Sequence, residues 1–151
     1  MKPTDNPFID LAFKEAELAA ARGEVPVGAF IVNADGIVLA KAGNRTEEHN
    51  DPTAHAEILA IREATRLIGF PRLNGCDLYV TLEPCPMCAT AISFARIRRL
   101  YYGAFDPKGG GVDHGPRIYT QSTCHHAPEV YSGIDETRCG HLLKDFFAEK
   151  R

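Results

Sequence analysis

Two short apolar runs, residues 78–82 and 100–104, flank a stretch that opens with Pro84-Cys85-Pro86-Met87-Cys88 and stays mostly apolar to Ala95. The runs have strand length, and a proline at the first position suits the start of a short helix over residues 86–95. A strand–helix–strand unit places its two strands in parallel, so this segment predicts a sheet with a crossover helix lying on one face. The rest of the chain must supply the remaining cover.

Its periodicities do so. Over Pro7–Ala21, the residues Ile9, Ala12, Phe13, Ala16, Ala19 and Ala20 recur at helical spacing, with Asn6 placed to cap the helix and Gly23 beyond its end. Residues 27–32 and 37–42 read as strands joined by Asn33-Ala34-Asp35-Gly36, whose Asp-Gly is a hairpin signal. A second helix is expected from Asp51-Pro52-Thr53 to about Ile68, with Ile58, Ile61, Ala64 and Ile68 on one face. Residues 105–133 dissolve into Gly, Pro, His and Asp and predict a long loop. A last helix over 135–147 turns Cys139, Leu142, Leu143 and Phe146 inward. Helices interspersed with strands predict an α/β fold, one central sheet covered on both faces. No linker or repeat divides residues 1–151, so a single domain is expected.

Composition narrows the function. No apolar run approaches the ~20 residues of a membrane-spanning helix, and Lys14, Glu15 and Glu17 interrupt any leader-like stretch before Ala19-Ala20-Ala21. Five cysteines, an odd number, argue for a reducing, cytoplasmic compartment over a disulfide framework. A net charge of −3 argues, for the chain as a whole, against nucleic acid as a partner.

The chemistry gathers at His55, Cys85 and Cys88. Two cysteines three apart at a helix start lie on one face, where the helix N-terminus favours thiolate over thiol. With one imidazole they make three ligands, which leaves a fourth tetrahedral position of zinc for water, the catalytic arrangement. Glu57 is the carboxylate that could handle that water's protons. Residues two apart on a regular helix diverge, so His55 and Glu57 would point apart in mid-helix, a tension that eases if the ion sits at the helix's N-terminal end. A redox Cys-x-x-C also follows a strand and opens a helix, but leaves His55-Ala56-Glu57 unexplained. A structural zinc would need a fourth ligand from Cys124, His125, Cys139 or His141, which sit in no standard spacing. Gly109-Gly110-Gly111 follows Lys108 instead of preceding a lysine, so it reads as a flexible turn and not a phosphate loop.

His55-Ala56-Glu57 with Pro84-Cys85-Pro86-Met87-Cys88 matches the zinc-deaminase pattern H-x-E…P-C-x-x-C. The chain further resembles the bacterial tRNA-specific adenosine deaminases (the TadA family), within the cytidine/deoxycytidylate deaminase superfamily. The similarity runs through Glu24-Val25-Pro26-Val27-Gly28-Ala29, Gly43-Asn44-Arg45, Asp51-Pro52-Thr53-Ala54-His55-Ala56-Glu57 and Tyr79-Val80-Thr81-Leu82-Glu83-Pro84-Cys85. It continues through Arg96-Ile97, Tyr102-Gly103-Ala104 and Leu142-Leu143-Lys144-Asp145-Phe146-Phe147. The resemblance implies a three-layer α-β-α sandwich of cytidine deaminase type with a central mixed sheet, and a homodimer holding one Zn2+ per subunit through His55, Cys85 and Cys88. It implies that Glu57 takes a proton from the attacking water and returns it to the purine ring and the leaving amine. Asn44 and the backbone amide of Ala56 would bind the nucleotide, and Val27 would wall the pocket. Phe105 stands where many members have a basic residue, and Cys124-His125-His126-Ala127-Pro128 looks like a variant found in part of the family.

The expected activity is hydrolytic deamination of adenosine to inosine at the wobble position of a tRNA anticodon stem-loop. Asp106, Lys108, Arg96 and Arg98 are expected RNA contacts: with Arg99 they give residues 96–108 a local charge of +3 despite the acidic whole. A free-base or nucleoside deaminase acting on guanine or cytosine is the alternative, set against the Asp145-Phe146-Phe147 ending. A non-catalytic RNA-binding or zinc-stabilised module would not require Glu57.

Overall fold

The computed structural model describes residues 7–149; Asn6, the expected cap of the first helix, lies outside the described residues. In chain order the elements are α1 (Pro7–Ala21), β1 (Gly28–Val32), β2 (Val38–Gly43), α2 (Thr46–His49), α3 (Ala56–Ile68) and β3 (Asp77–Leu82). There follow α4 (Pro86–Phe94), β4 (Arg99–Ala104), a 3-10 turn (Ile118–Thr120), β5 (Glu129–Tyr131) and α5 (Glu136–Glu149). The strands form one mixed sheet in the order β2-β1-β3-β4-β5. β1 pairs antiparallel with β2 and β3, while β3, β4 and β5 run parallel. This is the expected three-layer α-β-α arrangement.

Strand alternation sends successive side chains to opposite faces, and the two cores follow that rule. Ala29, Ile31, Leu78, Val80, Leu100 and Tyr102 share one core with Ala56, Ala60 and Ala64 of α3 and Ala89 and Ile92 of α4. Phe30, Val32 and Tyr79 share the other with Ile9 and Ala12 of α1 and with Ile134. β1 is buried along its whole length, as a strand covered on both faces must be.

The hairpin closes as its sequence predicts. Asn33 Oδ1 accepts the N–H of Asp35 and of Ile37, both at 2.9 Å, and Gly36 takes a φ of +81°. Four expectations need correction. Asp51 accepts the backbone N–H and the hydroxyl of Thr53 and makes a turn, so α3 starts only at Ala56. α3 also meets the sheet through the alanines at 56, 60 and 64, whereas Ile68 is exposed; small side chains let its backbone lie close. The supposed long loop contains the 3-10 turn and the edge strand β5, whose three residues are too few to display a period. In α5 only Cys139 is fully buried, and Leu142, Leu143 and Phe146 are half-buried. α2 has no counterpart in the sequence reading. The buried Glu24 carboxylate anchors it, accepting the N–H of Glu47 and of Glu48, an anion at a helix N-terminus.

Candidate metal centre and active-site cleft

His55 is the residue before the first turn of α3 and Cys85 the residue before the first turn of α4, and both are extended (ψ 153° and 169°). This settles the spacing problem of His-x-Glu. His55 lies outside the helix, so its ring and the side chain of Glu57 need not diverge. Cys88, inside the first turn of α4, completes the set. His55 Nδ1 lies 3.6 Å from Cys85 Sγ and 3.5 Å from Cys88 Sγ, and all three donor atoms lie within 4.8 Å of one another.

These distances fit zinc. With Zn–N of about 2.0–2.1 Å and Zn–S of about 2.3 Å, the nitrogen–sulfur edge of a tetrahedron is about 3.6 Å. One imidazole and two thiols are a suitable donor set, and among the described residues no other cluster offers three such ligands. The fold therefore brings His55, Cys85 and Cys88 into an arrangement that suits zinc, with three protein donors as in a catalytic centre.

Electrostatics prepare the thiols. Among the protein groups alone, the Cys88 hydrogen bond and, against burial, that of His55 hold the Cys85 thiol low, at about 4. The bond to Cys85 and burial push the Cys88 thiol up. The Cys85 bond also raises the His55 imidazole. Burial pushes Glu57 up to about 7, a rise to which the Cys85 thiolate adds. A carboxyl in that range can both take and give a proton near neutral pH.

The cleft beside these donors holds about 210 Å³ and is lined by Val25, Val27, Asn44, His55, Glu57, Leu82, Glu83, Cys85 and Asp106. It thus unites Val27, Asn44, His55, Glu57, Cys85 and Asp106 from the sequence reading. Ala56 is buried, and its N–H is donated to Asn44 Oδ1 at 2.9 Å. The amide proton expected to bind the nucleotide is thus engaged by Asn44 in this structure. Lys108 is exposed, two residues beyond Asp106.

Arg96 and Arg98 fall elsewhere. β3 and β4 are parallel, so residues that precede β4 lie at the opposite end of the sheet from Cys85, which follows β3. A six-residue strand spans roughly 17–20 Å. Arg98 makes a two-pronged ion pair with Asp77 (3.0 Å each), and Arg99 pairs with Glu129. The expected +3 patch does not exist as one surface, because the chain crosses the whole sheet between its two parts. Glu83 and Val25 line the cleft without having been singled out. Their only sequence signal is membership of the motifs around Pro26 and Pro84.

A parallel pair joined through α4, an imidazole and two thiols at facing helix starts, and a buried carboxylate define a zinc-binding deaminase. The family model of the cytidine and deoxycytidylate deaminase zinc-binding region matches residues 2–104. Within that class the chain belongs to the tRNA-specific adenosine deaminase family. It is 62% identical over 144 residues to the tRNA-specific adenosine deaminase of Agrobacterium fabrum, covering 95% of this chain and 94% of that protein. A solved structure from a study of A-to-I editing by tRNA:A34 deaminases at the wobble position superposes with a TM-score of 0.88 at 62% identity, over 90% of this chain and 98% of the other. A guanine deaminase from Nitrosomonas europaea matches with a TM-score of 0.80 at 20% identity, over 93% of this chain and 82% of that one, and shares the fold.

Proposed function

We propose that this chain deaminates adenosine to inosine at the wobble position of a tRNA anticodon. One observation carries the reading: a carboxylate 4% exposed, Glu57, shares a cleft with an imidazole and thiol set spaced for zinc. The RNA substrate is supported by near-full-length identity to a protein named for that activity.

When bound, zinc supplies Lewis-acid polarisation that makes water a nucleophile near neutral pH. Glu57 accepts one proton from the attacking water and delivers it to the purine ring nitrogen, then carries the second proton, from the oxygen now on C6, to the departing amine. The C6–N bond breaks, ammonia leaves, and the oxygen stays on the base as inosine. Val27 and Val25 give the base apolar walls. Asn44 spends Oδ1 on Ala56 and keeps two amide N–H donors for the nucleotide. Asp106 in the cleft wall and the exposed Lys108 two residues beyond it meet the flanking RNA. The enzyme works as a homodimer, and the exposed Met87 and Phe94 of α4 give a second copy an apolar surface to cover. Its compartment is the cytoplasm, which keeps cysteines reduced. No helix among the described residues is long and apolar enough to cross a membrane.

The test incubates zinc-quantified protein with an arginine tRNA anticodon stem-loop and, separately, with adenosine, cytosine and guanine, following inosine and ammonia. The stem-loop is edited, and Glu57→Ala keeps its zinc while losing turnover. An unedited stem-loop alongside consumption of guanine or cytosine overturns the reading.

A further inference from the structure

We infer that Glu83 is a positioning residue for RNA recognition: its buried carboxylate seats residues 106–114 on the metal-binding turn and so fixes the rim of the cleft. The inference rests on the proposed RNA substrate.

Glu83 stands between β3 and Pro84-Cys85, and its side chain is fully shielded from solvent. Oε2 accepts the backbone N–H of Val112 (3.2 Å), Asp113 (2.9 Å) and His114 (3.1 Å). Oε1 accepts the N–H of Asp106 at 3.0 Å and meets His114 Nδ1 at 2.8 Å. A carboxylate has about four lone-pair sites, so this one is fully used by a single segment. Those contacts replace the ladder or helix bonds that residues 106–114 lack.

The run of glycines completes the seat, and its reading as a flexible turn is corrected. The N–H of Gly111 donates to Pro84 O at 2.8 Å. A Cβ on Gly110 would lie 2.5 Å from the Glu83 carboxyl carbon, and one on Gly111 would lie 2.6 Å from Pro86 N. Both glycines are buried. Their lack of a side chain serves close approach to the metal turn. Tyr102 adds a tether from the sheet, its hydroxyl donating to Asp113.

The metal ligands and Glu57 sit at the starts of α3 and α4 and make none of these carboxylate bonds. The seated segment instead carries Asp106 in the cleft wall and Lys108 beside it. Loosening the seat therefore weakens substrate recognition and leaves the chemical step in place. A carboxylate that merely stabilised the fold would lower melting temperature without separating KM from kcat.

The experiment compares wild type, Glu83→Gln and His114→Ala for zinc content, melting temperature, and KM and kcat on the anticodon stem-loop. Glutamine keeps the size but must turn an NH2 toward either two or three N–H donors. For Glu83→Gln, KM rises about tenfold or more while kcat stays within about threefold and zinc stays at one per chain. His114→Ala, which removes one donor of five, raises KM by about threefold and decides the matter if Glu83→Gln does not fold. Unchanged KM in the folded variants, a fall in kcat at constant KM, or loss of zinc in step with activity each overturns the inference. A wild type that leaves the stem-loop unedited overturns the proposed substrate instead, and both variants on an active wild type test Glu83 alone.

Discussion

Asn44 Oδ1 accepts the N–H of Ala56 at 2.9 Å, tying the end of β2 to the first residue of α3 and thereby fixing the approach of His55 and Glu57 on either side. Asn44→Ala strands a buried donor, an expected cost of about 1–3 kcal/mol. Asn44→Asp keeps the acceptor and puts a charge at a helix N-terminus, where it is favourable, so stability recovers. Activity does not, because the amide donors proposed for the nucleotide are gone. Urea midpoints and stem-loop turnover of the two variants check this; an active Asn44→Asp removes Asn44 from substrate binding.

What the sequence made legible was local. The hairpin was visible because alternation and Asp-Gly act over a few residues, and the candidate zinc ligands because Cys85 and Cys88 lie three apart at a helix start and His55 pairs with Glu57 in a short motif. What stayed hidden depends on distant partners. β5 is three residues placed by pairing with β4. Glu83 is one letter in a motif until residues 106–114 fold onto it. Arg98 looked adjacent to Lys108, yet a whole strand separates them. That His55 sits outside α3 decided whether it could share a site with Glu57, and no spacing rule gives a helix boundary to one residue.

Glu57 makes metal-free protein pH-sensitive. Its folded value is about 7 against 4.5 for an ordinary carboxyl. Between these pH values the folded state holds a proton that the unfolded chain has lost, so this contribution to stability falls as pH rises. Glu57→Gln is insensitive at that position. The stability of Glu57→Gln minus that of wild type should therefore grow by up to about 3 kcal/mol across the window. Urea unfolding of chelated protein at a series of pH values measures it, and a flat difference removes the buried-carboxyl assignment.

The two halves of the basic stretch should separate under mutation. Lys108→Ala, two residues beyond the cleft-lining Asp106, raises KM for the stem-loop and lowers its salt dependence by roughly one phosphate contact. Arg98→Ala, which unpairs Asp77 at the far end of the sheet, lowers stability and leaves KM within about twofold, the scatter of a remote surface change. Titrating KM against salt for both variants distinguishes them. An Arg98→Ala effect equal to that of Lys108→Ala would mean that RNA reaches round the sheet.

The two ends of the glycine run give the sharpest contrast. On Gly111 a Cβ meets the backbone of the metal turn, at 2.6 Å from Pro86 N and 2.9 Å from the Cys85 carbonyl carbon. Backbone cannot swing aside, so Gly111→Ala must displace Cys85 and Cys88, whose distances a metal site tolerates only to about 0.2 Å. Zinc affinity is expected to fall about tenfold or more, the scale of losing support around a ligand set. On Gly109 the nearest atom is Asp106 Oδ2 at 3.1 Å, the end of a side chain that can rotate. Gly109→Ala therefore keeps zinc affinity close to wild type. Competition with a chromophoric chelator measures both, and equal affinities in the two variants would show that residues 106–114 do not rest on the metal turn.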